Sequence, residues 1–340
     1  MTSPLSGTVA VVTGASSGIG AATARRLADR AACVALVARR RDRLQALAAE
    51  IEQADGTALV VAADITDRSQ AEAAMQQTVD RFGRLDTLVN NAGLMLLGPV
   101  LDAEVEQWER MIAINIQGLL YTTRAALPRL LKAAEEGPRR VANIVNISSI
   151  AGRIAWNGYG VYNLAKLGVN GFTEALRQEV TQRHVRVGVL EPGGVATELG
   201  SHNTPKIRDQ MIDPFYQRTQ VLAPEDIADG IAHTITRPRH TAIRELWIMP
   251  TDQIWRIPTR RKSAKSQSVS EPQLRQPQPS HTRHSIGPPT GAETLGSKEF
   301  RPLSPGVPGR RVFAYGGTMK CPADGGLTTT PGPRTPDLGG

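Results

Sequence analysis

The amino-acid sequence predicts an α/β fold: a doubly wound, seven-stranded parallel sheet with helices on both faces, followed by a disordered C-terminal tail. Two observations carry that expectation. Short apolar, β-branched runs alternate with amphipathic stretches long enough to serve as crossover helices, and near Trp255 the composition changes abruptly.

Strands are expected at residues 9–12, 33–37, 58–61, 87–89, 141–147, 185–190 and 243–248. Helical periodicity fills the intervals at 19–30, 41–53, 69–82, 104–132, 161–183 and 224–236. Repeated strand, helix, strand units of this length pair their strands in parallel, with right-handed crossovers. One domain is therefore expected over residues 1–255 and a tail over 256–340. The tail holds 13 of the 23 prolines, with many Ser, Gly and Thr and no apolar period, a composition that cannot bury a core.

The formal charge of +8 is located in that tail, which has 13 Lys and Arg against 5 Asp and Glu; 27 of each sign remain before it. No nucleic-acid partner is thus expected for the domain, and any basic arm is confined to the tail. The two cysteines, Cys33 and Cys321, offer neither a disulfide framework nor metal-ligand spacing, which fits a reducing, cytoplasmic setting. No basic leader precedes the first apolar run, and no stretch reaches membrane-spanning length, so no membrane partner is expected.

The first strand leads directly into Thr13-Gly14-Ala15-Ser16-Ser17-Gly18-Ile19-Gly20, and a helical pattern follows. Glycines between a strand and a helix let the backbone approach a pyrophosphate, while the helix start presents unpaired N–H groups to the anion. Gly14, Ser16, Ser17, Gly18, Ile19 and Gly20 are accordingly candidate dinucleotide contacts, a tight turn without a ligand being the plainer alternative. At the end of the second strand an acid would accept from a ribose 2′-hydroxyl, but the sequence there is Ala38 followed by Arg39 and Arg40. Paired arginines favour a 2′-phosphate, so the expected cofactor is NADP(H); the alternative is a merely solvated helix start.

Hydride exchange at a carbonyl requires a proton donor for the developing alkoxide. Tyr162 and Lys166 are four apart in YNLAK and share one helix face, where an ammonium is expected to lower the phenol pKa. Such a pair arises often by chance, but it has company. Ser149 ends the long apolar strand thirteen residues before Tyr162, Asn91-Ala92-Gly93 follows the fourth strand, and Asn115 lies in MIAINIQG. All fall at the carboxyl edge of the predicted sheet, where doubly wound folds bind ligands.

TGASSGIG, NNAG, IAINIQG, NISSIAG, YNLAK and LEPGGVATEL occur in an order and spacing that resemble the short-chain dehydrogenase/reductase family, whose domain is a Rossmann fold, over about residues 7–251. The resemblance implies that Tyr162 is the general acid/base, that Lys166 lowers its pKa and binds the nicotinamide ribose, that Ser149 polarises the carbonyl, and that Asn115 positions a relay water. It further implies that Asp64 and Ile65 contact adenine, that Asn91, Ala92 and Gly93 line the adenosine side, and that Pro192, Gly193, Val195 and Thr197 flank the nicotinamide. Ala165, Leu164 and Ala31 depart from the family's usual residues without touching these four roles. Several segments, among them NNAGLMLLGPV and ELWIMPTDQ, are similar to bacterial reductases related to clavaldehyde dehydrogenase and the 3-hydroxy acid dehydrogenases.

Substrate selection is expected from residues 198–221 together with Leu94, Met95, Leu96, Arg153, Ile154 and Trp156. Leu96 and Ile154 are equally readable as core, and Arg153 and His202 either grip a substrate carboxylate or are simply solvated. The substrate expected is a small alcohol or carbonyl compound. Long helices with apolar residues on more than one face suggest a homodimer or homotetramer. Two other functions fit the sequence: an NADP(H)-binding regulator without turnover, and a binding protein acting through its basic tail.

Overall fold

The computed structural model describes residues 3–253, so the expected boundary near Trp255, the tail and Cys321 lie outside the described residues. Seven parallel strands, β1 (Val9–Thr13), β2 (Cys33–Ala38), β3 (Thr57–Ala62), β4 (Thr87–Asn90), β5 (Ala142–Ile147), β6 (Val185–Pro192) and β7 (Glu245–Ile248), form one sheet in the order 3-2-1-4-5-6-7. The chain order reverses at β1, which pairs with β2 on one side and β4 on the other. At such a switch point adjacent crossovers leave the sheet on opposite faces and open a crevice at the strand ends.

Helices cover both faces, which is why the central strands are continuous apolar runs; every residue of β1 and β4 is buried. Ala10 and Val12 of β1 pack with Leu27, Leu44 and Ile231, whereas Val11 between them packs with Met75, Leu130 and Leu176 on the opposite face. The first group comes from α1 (Gly18–Ala28), α2 (Arg41–Gln53) and α9 (Pro224–Thr236). The second comes from α3 (Arg68–Phe82), α5 (Leu119–Glu136) and α6 (Gly160–Val180). α4 (Val105–Ile112) and the short helices α7 (Pro205–Ile207) and α8 (Asp213–Arg218) lie in the connections after β4 and β6.

One expected helix is divided. The periodicity over 104–132 resolves into α4, a π-helical segment at Ala113–Gly118, and α5. Close packing accompanies the widened turn: Gly118 lies against the Ile65 side chain, leaving no room for a Cβ, and Asn115 faces the backbone of Leu94. Similarly, the helix expected over 161–183 ends at Val180 and finishes in the 3-10 turn Thr181–Arg183.

A buried polar ladder fixes α6 to the sheet. Asn90 Nδ2 donates to Thr123 Oγ1 and Asn146 Oδ1, both at 2.9 Å, and Asn146 Nδ2 donates to Thr173 Oγ1 at 2.8 Å. Each amide is satisfied, so the ladder joins β4, β5, α5 and α6 without an orphaned polar group on these amides.

Candidate active site

The glycine turn is held by its neighbours as well as by its own flexibility. Gly14 adopts φ +67°, which disfavours any residue with a side chain, and a methyl group there would meet the Cα of Ala92 at 2.8 Å. At Gly20 a Cβ would strike the Gly14 carbonyl oxygen. Asn91 and Ala92 donate their backbone N–H groups to Thr13 Oγ1 at 3.0 and 3.1 Å, and Asn91 Nδ2 donates to the Thr13 carbonyl at 2.9 Å. The Asn91 side chain therefore braces the turn, a role the spacing did not disclose.

Past that brace lie Gly93, Asn115 and the tyrosine–lysine pair. A Cβ on Gly93 would lie 3.0 Å from Asn115 Oδ1 and 3.8 Å from Lys166 Nζ. Asn115 is clamped in both directions, accepting from Leu94 N at 3.1 Å and donating to Leu94 O at 2.8 Å. Lys166 Nζ donates to the Ile147 carbonyl at 2.9 Å and stands 5.7 Å from the centre of the Tyr162 ring. Ser149 follows β5 near enough to Tyr162 to act on its phenol, and its Oγ accepts from Ala151 N at 3.1 Å. Asn163 anchors the Ser149 loop by donating to Ala151 O and Ile154 O at 2.7 and 2.6 Å.

The electrostatics differ from the expectation that Lys166 lowers the phenol pKa. Burial holds Tyr162 well above the ordinary phenol range; the nearby Ser149 hydroxyl acts the other way but is the weaker influence. Burial also pushes the Lys166 ammonium down to about 8. The ammonium lies over the ring and is spent on the Ile147 carbonyl, so it does not offset desolvation of the hydroxyl. Tyr162 is consequently held protonated, the form a proton donor requires.

Beside the glycine turn opens a cleft of about 700 Å3 walled by Ser16, Ser17, Gly18, Arg43, Thr197 and Glu198. The Thr197 methyl faces Gly18, where a Cβ would come within 3.0 Å of it. Gly193 N donates to Ile248 O at 2.8 Å, tying the segment after Pro192 to β7, and Val195 pairs with Leu222. Arg39 is 71 % exposed, and among the described residues its ion-pair contact is Asp64 at 3.8 Å. Arg40 is engaged: its Nε and Nη2 lie 3.1 and 2.8 Å from Ser16 Oγ, and Nη2 lies 2.8 Å from Ser17 Oγ. Asp64 Oδ1 accepts from Thr66 N and Oγ1, while Ile65 is buried against Gly118 and has only its backbone to offer a ligand. A glycine cradle with no space for side chains beside a buried tyrosine–lysine pair fits an NAD(P)-type dinucleotide.

The remaining candidates separate clearly. Leu94, Leu96 and Leu97 form a small apolar cluster with Met111, Tyr162 and Ile212, and Met95 and Trp156 pack against it, so these residues are at once core and lining beside the tyrosine. Ile154 is half-buried and His202 exposed. Arg153 is exposed but engaged: Nε and Nη2 bind the buried Glu191 at 2.8 and 3.1 Å, and Nη2 lies 2.7 Å from Glu245 Oε2. Two residues that pattern reading passed over hold the region together. Asn203 accepts from Leu97 N at 2.7 Å and donates to Met95 O at 2.9 Å, and Tyr216 donates to Val195 O at 3.0 Å.

Residues 8–208 match the sequence pattern described as short chain dehydrogenase. The chain belongs to the short-chain dehydrogenase family. Among the relatives of this short-chain dehydrogenase, glycine betaine reductase ATRR of Emericella nidulans is 37 % identical over 252 residues, 74 % of this chain and only 19 % of that much longer protein. An uncharacterised oxidoreductase of Staphylococcus saprophyticus is 36 % identical over 249 residues, covering 72 % of this chain and 96 % of its relative. The closed form of serine dehydrogenase complexed with NADP+ superposes with a TM-score of 0.66 at 34 % identity, covering 73 % of this chain and 97 % of that one. The 3-ketoacyl-(acyl-carrier-protein) reductase of Brucella melitensis, complexed with NADH, gives 0.64 at 30 % identity and covers 74 % and 100 %. The family is one of oxidoreductases using an NAD(P)-type dinucleotide. Among the described residues no helix is long and apolar enough to cross a membrane.

Proposed function

We propose that this short-chain dehydrogenase transfers a hydride between NADP(H) and a small alcohol or carbonyl compound, in the cytoplasm and as a homo-oligomer. The observation that carries the reading is the buried Tyr162, beside Ser149 and with Lys166 Nζ 5.7 Å from its ring centre. The bound cofactor supplies or accepts the hydride. Tyr162 holds the proton at its hydroxyl and gives it to the oxygen of a carbonyl as that oxygen gains charge. Ser149 donates a hydrogen bond to the same oxygen, a contact that strengthens as charge develops. Lys166 binds the nicotinamide ribose and keeps positive charge beside the tyrosine, and Asn115 positions a water through which the proton is replaced.

Gly14, Ser16, Ser17, Gly18, Ile19 and Gly20 cradle the pyrophosphate; Arg39 and Arg40 read the 2′-phosphate. Asp64, the backbone of Ile65, and Asn91 to Gly93 lie along the adenosine, and Pro192, Gly193, Val195 and Thr197 lie along the nicotinamide. The apolar residues around Tyr162 favour a substrate with an uncharged, partly hydrophobic body, since Arg153 is already neutralised by Glu191.

The test is oxidation of NADPH, beside NADH, against a panel of aldehydes and ketones, for the wild-type chain and Tyr162→Phe. Turnover with NADPH that falls at least about a hundredfold in the variant, with NADPH binding retained, is the expected result. Binding without turnover in either protein overturns the enzyme reading in favour of a cofactor-binding regulator.

A further inference from the structure

Glu198 walls the same cleft as the glycine turn and faces Arg40, which follows β2 and caps α2. It is the first residue of the 3-10 turn Glu198–His202, and both of its carboxylate oxygens are used. Oε2 accepts from Arg40 Nη1 at 3.0 Å and Oε1 from Arg43 Nη1 at 2.7 Å. The other donors of Arg40 go to Ser16 and Ser17, so every guanidinium nitrogen of Arg40 is engaged by the chain itself. Two arginines and two serine hydroxyls converging on one recess make an oxyanion site, and the carboxylate of Glu198 is the anion at its arginines. Arg43 and Arg40 hold that carboxylate ionised, its pKa drawn down to about 2.

We infer that Glu198 is an internal counter-anion for the 2′-phosphate site, displaced from Arg40 when the phosphate enters, so that it sets cofactor selectivity and ties the turn after Thr197 to it. The inference rests on the NADP(H) reading proposed above and deepens it. A carboxylate and a phosphate cannot share the same guanidinium fork without like-charge repulsion, whereas an uncharged 2′-hydroxyl has no means of displacing Glu198. Glu198 therefore weakens binding of the phosphorylated cofactor selectively. Its release also loosens one end of a loop held at the other by Asn203, through Leu97 N and Met95 O beside the tyrosine. Occupancy of the phosphate site is thereby coupled to the segment that walls the substrate region.

The test uses the full chain and its Glu198→Gln variant, titrated by calorimetry with 2′,5′-ADP, which has the 2′-phosphate, and with ADP, which has only the pyrophosphate. Both partners of the carboxylate are surface arginines, so the variant keeps the fold. Glu198→Gln is expected to bind 2′,5′-ADP about threefold to tenfold tighter and ADP within about twofold of wild type. In an Arg40→Ala background the gain from Glu198→Gln should fall below about twofold, because the contested donor is gone. Weaker 2′,5′-ADP binding by the variant would make Glu198 a cofactor ligand and overturn the inference. An equal gain for ADP, or a gain that survives Arg40→Ala, would reduce it to a general field and likewise overturn it. A wild-type chain that binds neither nucleotide removes the NADP(H) reading itself, and this inference with it.

Discussion

Arg153 closes over Glu191 with two hydrogen bonds of 2.8 and 3.1 Å, and the carboxylate beneath it has no solvent exposure. Asn170 of α6 donates to the same carboxylate at 2.7 Å and to Gly152 O at 3.0 Å. The pair thus joins the three elements that deliver the candidate active groups: the loop of Ser149, the helix of Tyr162 and Lys166, and the strand that ends at Pro192. Removing the cation leaves an uncompensated buried charge, which costs more than the pair itself contributes. Arg153→Ala is expected to lower stability by roughly 2–3 kcal/mol, the side chain being partly exposed, and Glu191→Gln by less, since the amide can still accept from Asn170. Replacing both with Met should recover most of the loss. Urea unfolding of the three variants checks the ranking; an Arg153→Ala cost no larger than that of Glu191→Gln would contradict it.

Lys166 makes a signed prediction about pH. With its ammonium pushed down to about 8 from an ordinary 10.5, the native state binds fewer protons than the unfolded chain between those values. Stability therefore rises with pH from about 8 towards 10. Above 10.0 Tyr162 opposes the trend, because its raised pKa keeps the native phenol protonated while the unfolded chain ionises. Lys166→Met should be more stable than wild type at pH 7, by about 2 kcal/mol, and should lose the rise between pH 8 and 10. Urea midpoints measured at unit pH steps decide this, and parallel curves for the two proteins would refute it.

The parts legible in the sequence were those encoded by local spacing. TGASSGIG after an apolar run located the cradle because strand, turn and helix are adjacent in the chain, and YNLAK placed Tyr162 and Lys166 on one helical face. What escaped depends on contacts between distant residues: Arg40 with Glu198, Arg153 with Glu191, and Asn203 with Leu97 have no periodicity to betray them. The π-helical turn at Ala113–Gly118 was hidden because one extra residue barely disturbs an apolar pattern over 104–132. The direction of the Tyr162 shift was misjudged for a related reason. Proximity to a cation can be read from spacing, but desolvation is set by Leu94, Ala151 and Ile212 arriving from other segments.

Arg39 and Arg40 are not equivalent in the cofactor-free chain, so their replacement should not be either. Arg39 is largely open, whereas Arg40 is held by Ser16, Ser17 and Glu198. Arg39→Ala is expected to weaken NADPH binding at least about tenfold with NADH within about twofold, the loss of a charge-assisted phosphate contact. Arg40→Ala removes a donor that the phosphate gains only by displacing Glu198, which Arg43 still holds, so its net effect is smaller. Fluorescence titration of both cofactors against both variants measures this, and equal losses for NADPH and NADH would remove the arginines from cofactor selection.

Leu120 on α5, and Leu164 and Leu167 on α6, are 37, 61 and 50 % exposed, although all three side chains are large and apolar. Leu164 and Leu167 are three apart and so adjacent on one face of α6, and Gly171, at the next turn on that side, has no atom within 4 Å of where its Cβ would be. A helix already packed on the sheet through Val169, Thr173 and Leu176 has no intrachain use for a second apolar stripe. A second copy laid against this face would bury the leucines and approach closely at the glycine, which supports α5 and α6 as the homo-oligomer interface. Leu164→Glu with Leu167→Glu should therefore yield a monomer in sedimentation at micromolar concentration, where the wild-type chain sediments as a dimer or tetramer. The substitutions leave the core untouched, so the monomer should keep its helical circular dichroism. A variant pair that still assembles would exclude this face.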